Sequence, residues 1–214
     1  FNRCLFQYNG QKFCLWDIII TFILCSAIIN TIKTIVEYVL FIKSKNTNPT
    51  VDELIVHSII EQILSETGKK IPVTVRRTDE DTSPFVYGIT TPTILLPQKE
   101  YNDIQLECIL RHEMAHYLHG DLIMRFLWSL IKSFCYWNPA VYILDNQLEK
   151  ILEIRADENV LKNQKSGFFK SYLSVIVELS THPTAAFSKF QSCFYKPSGL
   201  TARKRIEIVL FRSK

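Results

Sequence analysis

The feature that most restricts this chain is "FCLWDIIITFILCSAIINTI", Phe13 to Ile32, twenty residues whose strongest polar groups are Asp17 near one end and Asn30 near the other. A helix rises about 1.5 Å per residue, so the segment would be about 30 Å long, the thickness of a bilayer core. It reads as a transmembrane helix, the alternative being a buried helix of a soluble domain. Continuing through "KTIVEYVLFIKSK", Lys33 and Glu37 stand four apart and can pair. Lys33, Lys43 and Lys45 after the run outweigh Arg3 and Lys12 before it, so the part beyond Lys43 is expected to face the cytoplasm. Residues 1–12 are then an extracytoplasmic flank, 13–42 the transmembrane helix with its continuation, and 46–214 the remaining domain.

With 214 residues there is room for one domain with a real core. The chain begins at Phe1 without an initiator Met or a basic leader, and reads as a piece of a longer protein. A 47% apolar content and a mean hydropathy of +0.07 fit a mixed chain, part membrane and part globular. The net charge of +4 is spread along the chain without a basic stripe, so nucleic-acid binding is not expected. Six cysteines without a C-x-x-C argue against a zinc ribbon or a thioredoxin-like motif. Most read as buried free thiols; Cys4 and Cys14 could pair only in an oxidising compartment.

After "NTNPT", a linker with Thr50 as expected N-cap, Val51, Leu54, Ile55, Ile59, Ile63 and Leu64 recur on a helical face that ends at Gly68, with His57 off that face and solvated. "IPVTVRR", "FVYGIT" and "TILLP" are then short β-rich runs punctuated by Pro72, Pro84, Gly88, Pro92 and Pro97. They predict a small antiparallel sheet of two or three strands. "NDIQLECILRHEMAHYLHGDL" returns to helical period, capped by Asn102 or Asp103. The fold class is therefore α+β: a mainly helical domain with a small antiparallel sheet, attached to at least one transmembrane helix.

Within that helix, His112 and His116 stand one turn apart, about 6 Å along the axis, so both imidazoles can reach one zinc ion at about 2.0–2.1 Å. Glu113 lies about 100° around from His112, placed to work on a metal-activated water without being a ligand. Metal-assisted hydrolysis uses that pairing: zinc lowers the pKa of water to about 7, and a carboxylate takes the proton and passes it to the leaving amine. A third ligand is still required. Cys108 is about 12 Å from His116 along the axis, and His119 is rotated about 60° from His116, so neither suits. "LEKILEIRADENVL", Leu148 to Leu161, offers Glu153 as an oxygen ligand and, one turn on, Asp157 to fix the tautomer of a ligand histidine. The plainer alternative is a solvated acidic face. Two carboxylates one turn apart beside apolar positions nonetheless need a cationic partner.

H-E-x-x-H followed by E-x-x-x-D looks like the gluzincin arrangement. "IPVTVRRTDEDTSPFVYGITTPTILLP", "LRHEMAHYLHGDL", "CYWNPAVYIL" and "LEIRADENVL" together resemble the BlaR/MecR-type antirepressor metallopeptidases, from about Ile71 to Leu161, with a weaker tail at "LTARKRIEIVL". The resemblance implies a membrane-anchored zinc endopeptidase of the bacterial cell membrane, its protease domain facing the cytoplasm. Such an enzyme cleaves a transcriptional repressor, itself, or both in signal-dependent regulation such as the β-lactam response. It puts one zinc ion on His112, His116 and Glu153, the general base on Glu113, a supporting role on Asp157, and an edge strand for an extended protein substrate at Phe85, Val86, Tyr87 and Gly88. Tyr87, Tyr117 and Arg203 are candidates for stabilising the oxyanion. No S-x-x-K with K-T-G is present, so β-lactam sensing does not follow from these residues. A housekeeping membrane gluzincin and a noncatalytic, zinc-stabilised signal transducer are the alternatives.

"LIMRFLWSLIKSFCYWNPAVYIL", 122–144, is too apolar for a loop, while Arg125 and Lys132 argue against a fully lipid-exposed span. It reads as an interfacial or partly embedded hairpin with Trp128, Tyr136 and Trp137 at headgroup level, or else as a plain core helix. "KSGFFKSYLSVIVELSTH" is a further amphipathic helix. The basic "TARKRIEIVLFRSK" is expected to be a solvated or lipid-facing helix, with a regulatory self-cleavage region as the second reading.

Overall fold

The computed structural model describes residues 4–8, 11–80, 82–162, 166–181, 205 and 207. An antiparallel hairpin, β1 (Cys4–Tyr8) and β2 (Gln11–Cys14), leads into α1 (Leu15–Lys45). The apolar helix thus begins two residues later than expected, because Phe13 and Cys14 belong to β2. Cys4 and Cys14 are register partners, and their side chains lie outside the described residues. α1 is long and apolar enough to cross a bilayer, and from Leu15 to Leu40 its large apolar side chains are mostly exposed. Lys33 and Glu37 pair at 3.8 Å as expected.

The linker does not cap the next helix at Thr50. Thr50 bridges to Arg76, and Val51 N–H donates to Val75 at 2.9 Å, so these residues run extended beside a strand. α2 (Leu54–Thr67) therefore starts after Glu53, and its buried face is Val56, Ile59, Ile60 and Ile63, leaving Leu54 and Ile55 exposed. Gly68 ends it, as the sequence predicts, and does so in the left-handed conformation.

Three strands follow: β3 (Thr74–Thr78), β4 (Phe85–Tyr87) and β5 (Thr93–Pro97). The sheet is mixed, not wholly antiparallel. Its order is β3-β5-β4, with β3 parallel to β5 and β4 antiparallel to it. All five residues of "TILLP" are buried, and a continuously buried strand belongs in the middle of a sheet. The residues after β3 therefore carry the chain across β5, and β4 becomes the edge. Gly88 (φ 89) makes the turn out of β4, where a Cβ would lie 2.3 Å from the Thr91 carbonyl oxygen.

β5 alternates between two cores. Ile94 and Leu96 join α2 and three further helices, α3 (Asp103–Leu118), α5 (Pro139–Leu161) and α6 (Ser166–Thr181), whose Leu110, Met114, Ala156 and Ile176 are buried there. Leu95 joins Phe41, Phe85 and Tyr87 on the opposite face, docking the end of α1 onto the sheet. α4 (Asp121–Phe134) lies between α1 and α5. The α+β, mainly helical class expected from the sequence is the one observed.

Candidate metal centre

α3 is fixed at both its start and its middle. Asn102 and Gln105 form a reciprocal capping box. Arg111, almost buried, makes a two-pronged pair with Glu66 of α2 at 2.6 and 2.9 Å and also bonds Glu107 at 2.8 Å. That clamp sets the rotation of α3, so that His112 and His116 turn away from α2 toward α5. Their rings lie 4.8 Å apart and nearly perpendicular.

Glu153 of α5 completes the group. Its Oε2 is 3.6 Å from His112 Nε2 and its Oε1 is 3.5 Å from His116 Nε2. One donor atom from each of the three residues lies within 4.8 Å of the others, so they could hold one ion. Ligand atoms about 2.1 Å from a tetrahedral zinc are about 3.4 Å apart, close to both measured spacings. The ring nitrogens facing away are already committed. His116 Nδ1 is 2.7 Å from Asp121 Oδ2, and His112 Nδ1 is 2.8 Å from the Tyr172 hydroxyl, which itself donates to Asp157 at 2.7 Å. Both Nδ1 atoms are then protonated, so that each Nε2 faces the gap and offers its lone pair there whenever the ring is neutral. Burial holds His116 well below the usual histidine range despite Glu153, so it is neutral. Burial opposes charge on Glu153 too, but His112, His116 and Arg205 hold it well below the usual carboxylate range. Burial pulls His112 down, but its hydrogen bond to Glu153 and the charges of Asp157 and Glu153 raise it above the usual histidine range. Two imidazole nitrogens and an ionised carboxylate are a donor set that suits zinc, and binding an ion there would release the His112 proton.

Glu113, on the same turn, is buried, and burial pushes its carboxyl up to about 7 against the pull of His112. Its Oε2 accepts from the Val86 backbone N–H at 2.9 Å. The expected substrate strand, Phe85 to Gly88, thus lies beside Glu113. Phe85 and Tyr87 point into the core behind the strand, whereas the Val86 N–H faces the site.

Asp157 is fully buried and reaches His112 chiefly through Tyr172, its own Oδ1 being 3.4 Å from Nδ1. Arg205 clasps it at 2.5 and 2.9 Å and comes within 3.5 Å of Glu153. At Arg205, therefore, the basic terminal run is neither solvated nor lipid-facing: it neutralises the two carboxylates. Arg125 of α4 lies 3.2 Å from both Glu149 and Glu153. Asp121, which the sequence reading passed over, returns onto His116 because Gly120 (φ 76) turns the chain sharply after α3; Arg155 binds its other oxygen.

The bystanders behave as such. Cys108 is buried, and burial together with Glu107 pushes its thiol up to about 12. His119 bonds the Ala115 carbonyl at 2.7 Å. Tyr87 is engaged with Asn46 and Tyr117 with the Thr90 carbonyl, away from the group; Arg203 lies outside the described residues. Most cysteines are expected to be buried; among the described ones Cys108 is, Cys135 is half-buried and Cys25 is exposed, on α1.

The family described as BlaR1 peptidase M56 matches residues 8–209, nearly the whole chain. The chain belongs to that family. Among M56-like curated proteins, the "Regulatory protein BlaR1" of Bacillus licheniformis is 28% identical over 119 residues, covering 52% of this chain and 20% of that protein. The "Methicillin resistance mecR1 protein" of Staphylococcus aureus is 34% identical over 97 residues, 42% of this chain and 16% of that protein. The matched part thus spans a fifth or less of these relatives. The crystal structure of S. mikatae Ste24p aligns over 91% of this M56 chain and 57% of its own with a TM-score of 0.52 and 14% identity, a likeness of fold. The BlaR/MecR-type resemblance of the sequence is thereby borne out.

Proposed function

We propose that this chain is the catalytic part of a membrane-anchored zinc endopeptidase, with zinc on His112, His116 and Glu153 and Glu113 as general base. The observation that carries the reading is the convergence of the two Nε2 atoms on the two oxygens of Glu153, at 3.5 and 3.6 Å, with Glu113 beside them. Zinc, when bound, supplies a Lewis acid that polarises a peptide carbonyl and activates water. Glu113, with a pKa near neutrality, takes the proton and delivers it to the leaving nitrogen. Asp121, and Tyr172 with Asp157, keep both imidazoles in the tautomer that leaves Nε2 free. The edge strand β4 aligns an extended substrate by backbone bonds, which demand little of its sequence.

In this reading α1 spans the bacterial cell membrane, residues 1–12 lie outside, and the protease domain, 46–214, faces the cytoplasm. The exposed Lys33 and Lys43 favour that orientation, while Lys45 is used internally against Glu80. The relatives are named a regulatory protein and a methicillin resistance protein, which supports a regulatory setting such as the β-lactam response; the BlaR/MecR-type resemblance implies a repressor, the peptidase itself, or both as substrate. The test is to co-express the chain with a candidate repressor and measure cleavage and bound metal. One zinc per chain is expected, with cleavage lost in Glu113→Gln while the zinc is retained. Cleavage that survives this substitution, or proceeds in metal-free protein, overturns the proposal.

A further inference from the structure

We infer that the α4–α5 hairpin is a re-entrant element, sunk tip-first into the bilayer to about its mid-plane, with lipid acyl chains covering its outer face. This rests on the reading that α1 spans the membrane, and it goes beyond an interfacial hairpin with aromatic residues at headgroup level.

The first observation is an inverted polarity. Ile123, Met124, Leu127, Ile131 and Phe134 of α4 are exposed, whereas its Arg125 and Ser129 are buried. The cations face α5: Arg125 lies 3.2 Å from Glu149 and Glu153, and Lys132 bonds Asp145 at 3.0 Å. The start of α5 repeats the pattern, with Tyr142, Ile143 and Leu144 outside and Asp145 inside. In water a helix does the reverse, because exposing large apolar side chains and burying charges both cost free energy. In hydrocarbon both choices become favourable.

The second observation fixes depth. α4 runs antiparallel to α1: Tyr38 packs on Phe126 with ring centroids 5.0 Å apart, Thr34 bonds Ser133 at 2.5 Å and Ser26 bonds Tyr136 at 2.7 Å. The Tyr136 hydroxyl at the hairpin tip therefore reaches the level of Ser26, about 16 Å along the helix from Leu15. Counted as the twenty residues from Leu15, about 30 Å, the apolar span of α1 has Ser26 near its middle.

A turn at that depth has to satisfy its own backbone. Asn138 accepts from Ala140 N–H at 3.0 Å and donates its own N–H to Cys135, Tyr142 donates to the Tyr136 carbonyl at 2.9 Å, and Pro139 has no N–H to satisfy. Lipid fits the outer face better than another helix does. Helices associate in membranes through small and polar residues, and α1 meets the hairpin through Thr34–Ser133 and Ser26–Tyr136 beside the Tyr38–Phe126 ring pair, while the outer face of α4 carries only large apolar side chains without polar groups to pair.

Depth-dependent quenching tests this in vesicles of phosphatidylcholine brominated at shallow or deep acyl positions, using the whole chain. Trp137, 60% exposed at the tip, is kept as the sole tryptophan by Trp16→Phe and Trp128→Phe. A second variant lacks all three tryptophans and carries Ile29→Trp on the exposed face of α1. Circular dichroism checks that both fold. Both reporters are expected to lose more emission to deep than to shallow bromines. If the α1 reporter is quenched deeply but Trp137 only by shallow bromines, the hairpin is interfacial and the inference falls while α1 still spans. If Trp137 is not quenched at all, protein covers the tip and the inference falls likewise. If the α1 reporter escapes quenching at every depth, the spanning reading itself fails.

Discussion

The backbone N–H of Val86 donates to the carboxylate of Glu113 at 2.9 Å, which ties the edge strand to the residue next to His112. This donor orients Glu113 from the outer side of β4, a strand whose three residues are all buried, so an extended peptide pairing along this side would meet an N–H already engaged by Glu113. Because this N–H points away from β5, it takes no part in the ladder. Val86→Pro should accordingly leave the sheet and the bound metal in place, since proline is tolerated at an edge. The loss of one backbone hydrogen bond of about 1.4 kcal/mol predicts a fall in kcat/KM of about tenfold. Val86→Ala, which keeps the N–H, should lose much less. Equal losses in the two variants, measured on one peptide, would show that the N–H has no special part.

Asp121 bonds His116 Nδ1 at 2.7 Å and is almost wholly buried. Replacing it with Asn preserves shape but removes the charge that favours a proton on Nδ1. Zinc affinity should fall by about 10–100-fold, as for other partners of ligand histidines, with secondary structure unchanged. Competition with a chromophoric chelator measures it. An unaltered affinity would remove Asp121 from the metal centre.

Cys108 stands one turn before His112, yet a buried thiol raised to about 12 is protonated and chemically quiet. Alkylation of the native protein at pH 8 followed by peptide mass mapping should leave Cys108 unmodified, with labelling only after unfolding. Stripping the metal should not speed its modification. A cysteine released by chelation would instead have to be counted among the ligands.

How much of this was legible follows from how local each signal is. His112, Glu113 and His116 sit within two turns of one helix, and Glu153 and Asp157 within two turns of another, so helical spacing alone puts each set on a face. The sheet order was harder. The short β-rich runs predicted a small antiparallel sheet, but the unbroken apolar run of β5 already marked it as central, and that run was the signal to weigh. Asp121 lay inside the quoted motif and was missed because its return to His116 depends on the backbone turn at Gly120. Tyr172 and Arg205 carry no local pattern at all: they reach Asp157 from far along the chain, and only tertiary packing makes them partners.

That packing makes the Arg205–Asp157 pair the most exacting prediction. Asp157 has no exposed surface and is held by two bonds from Arg205 and one from Tyr172. Arg205→Ala would leave a buried carboxylate with only a hydroxyl donor, and breaking one side of a buried ion pair costs roughly 3–5 kcal/mol. Tyr172→Phe removes one neutral donor and leaves the ion pair, so about 1–3 kcal/mol is expected. The two should differ in kind as well as size. The arginine change should act mainly on thermal stability. The tyrosine change should weaken metal binding more than stability, because it cuts the link between Asp157 and His112 Nδ1. Thermal melts and zinc titrations on both variants decide it. If Arg205→Ala melts like the parent protein, the terminal run does not secure α5, and the solvated reading of that basic segment returns.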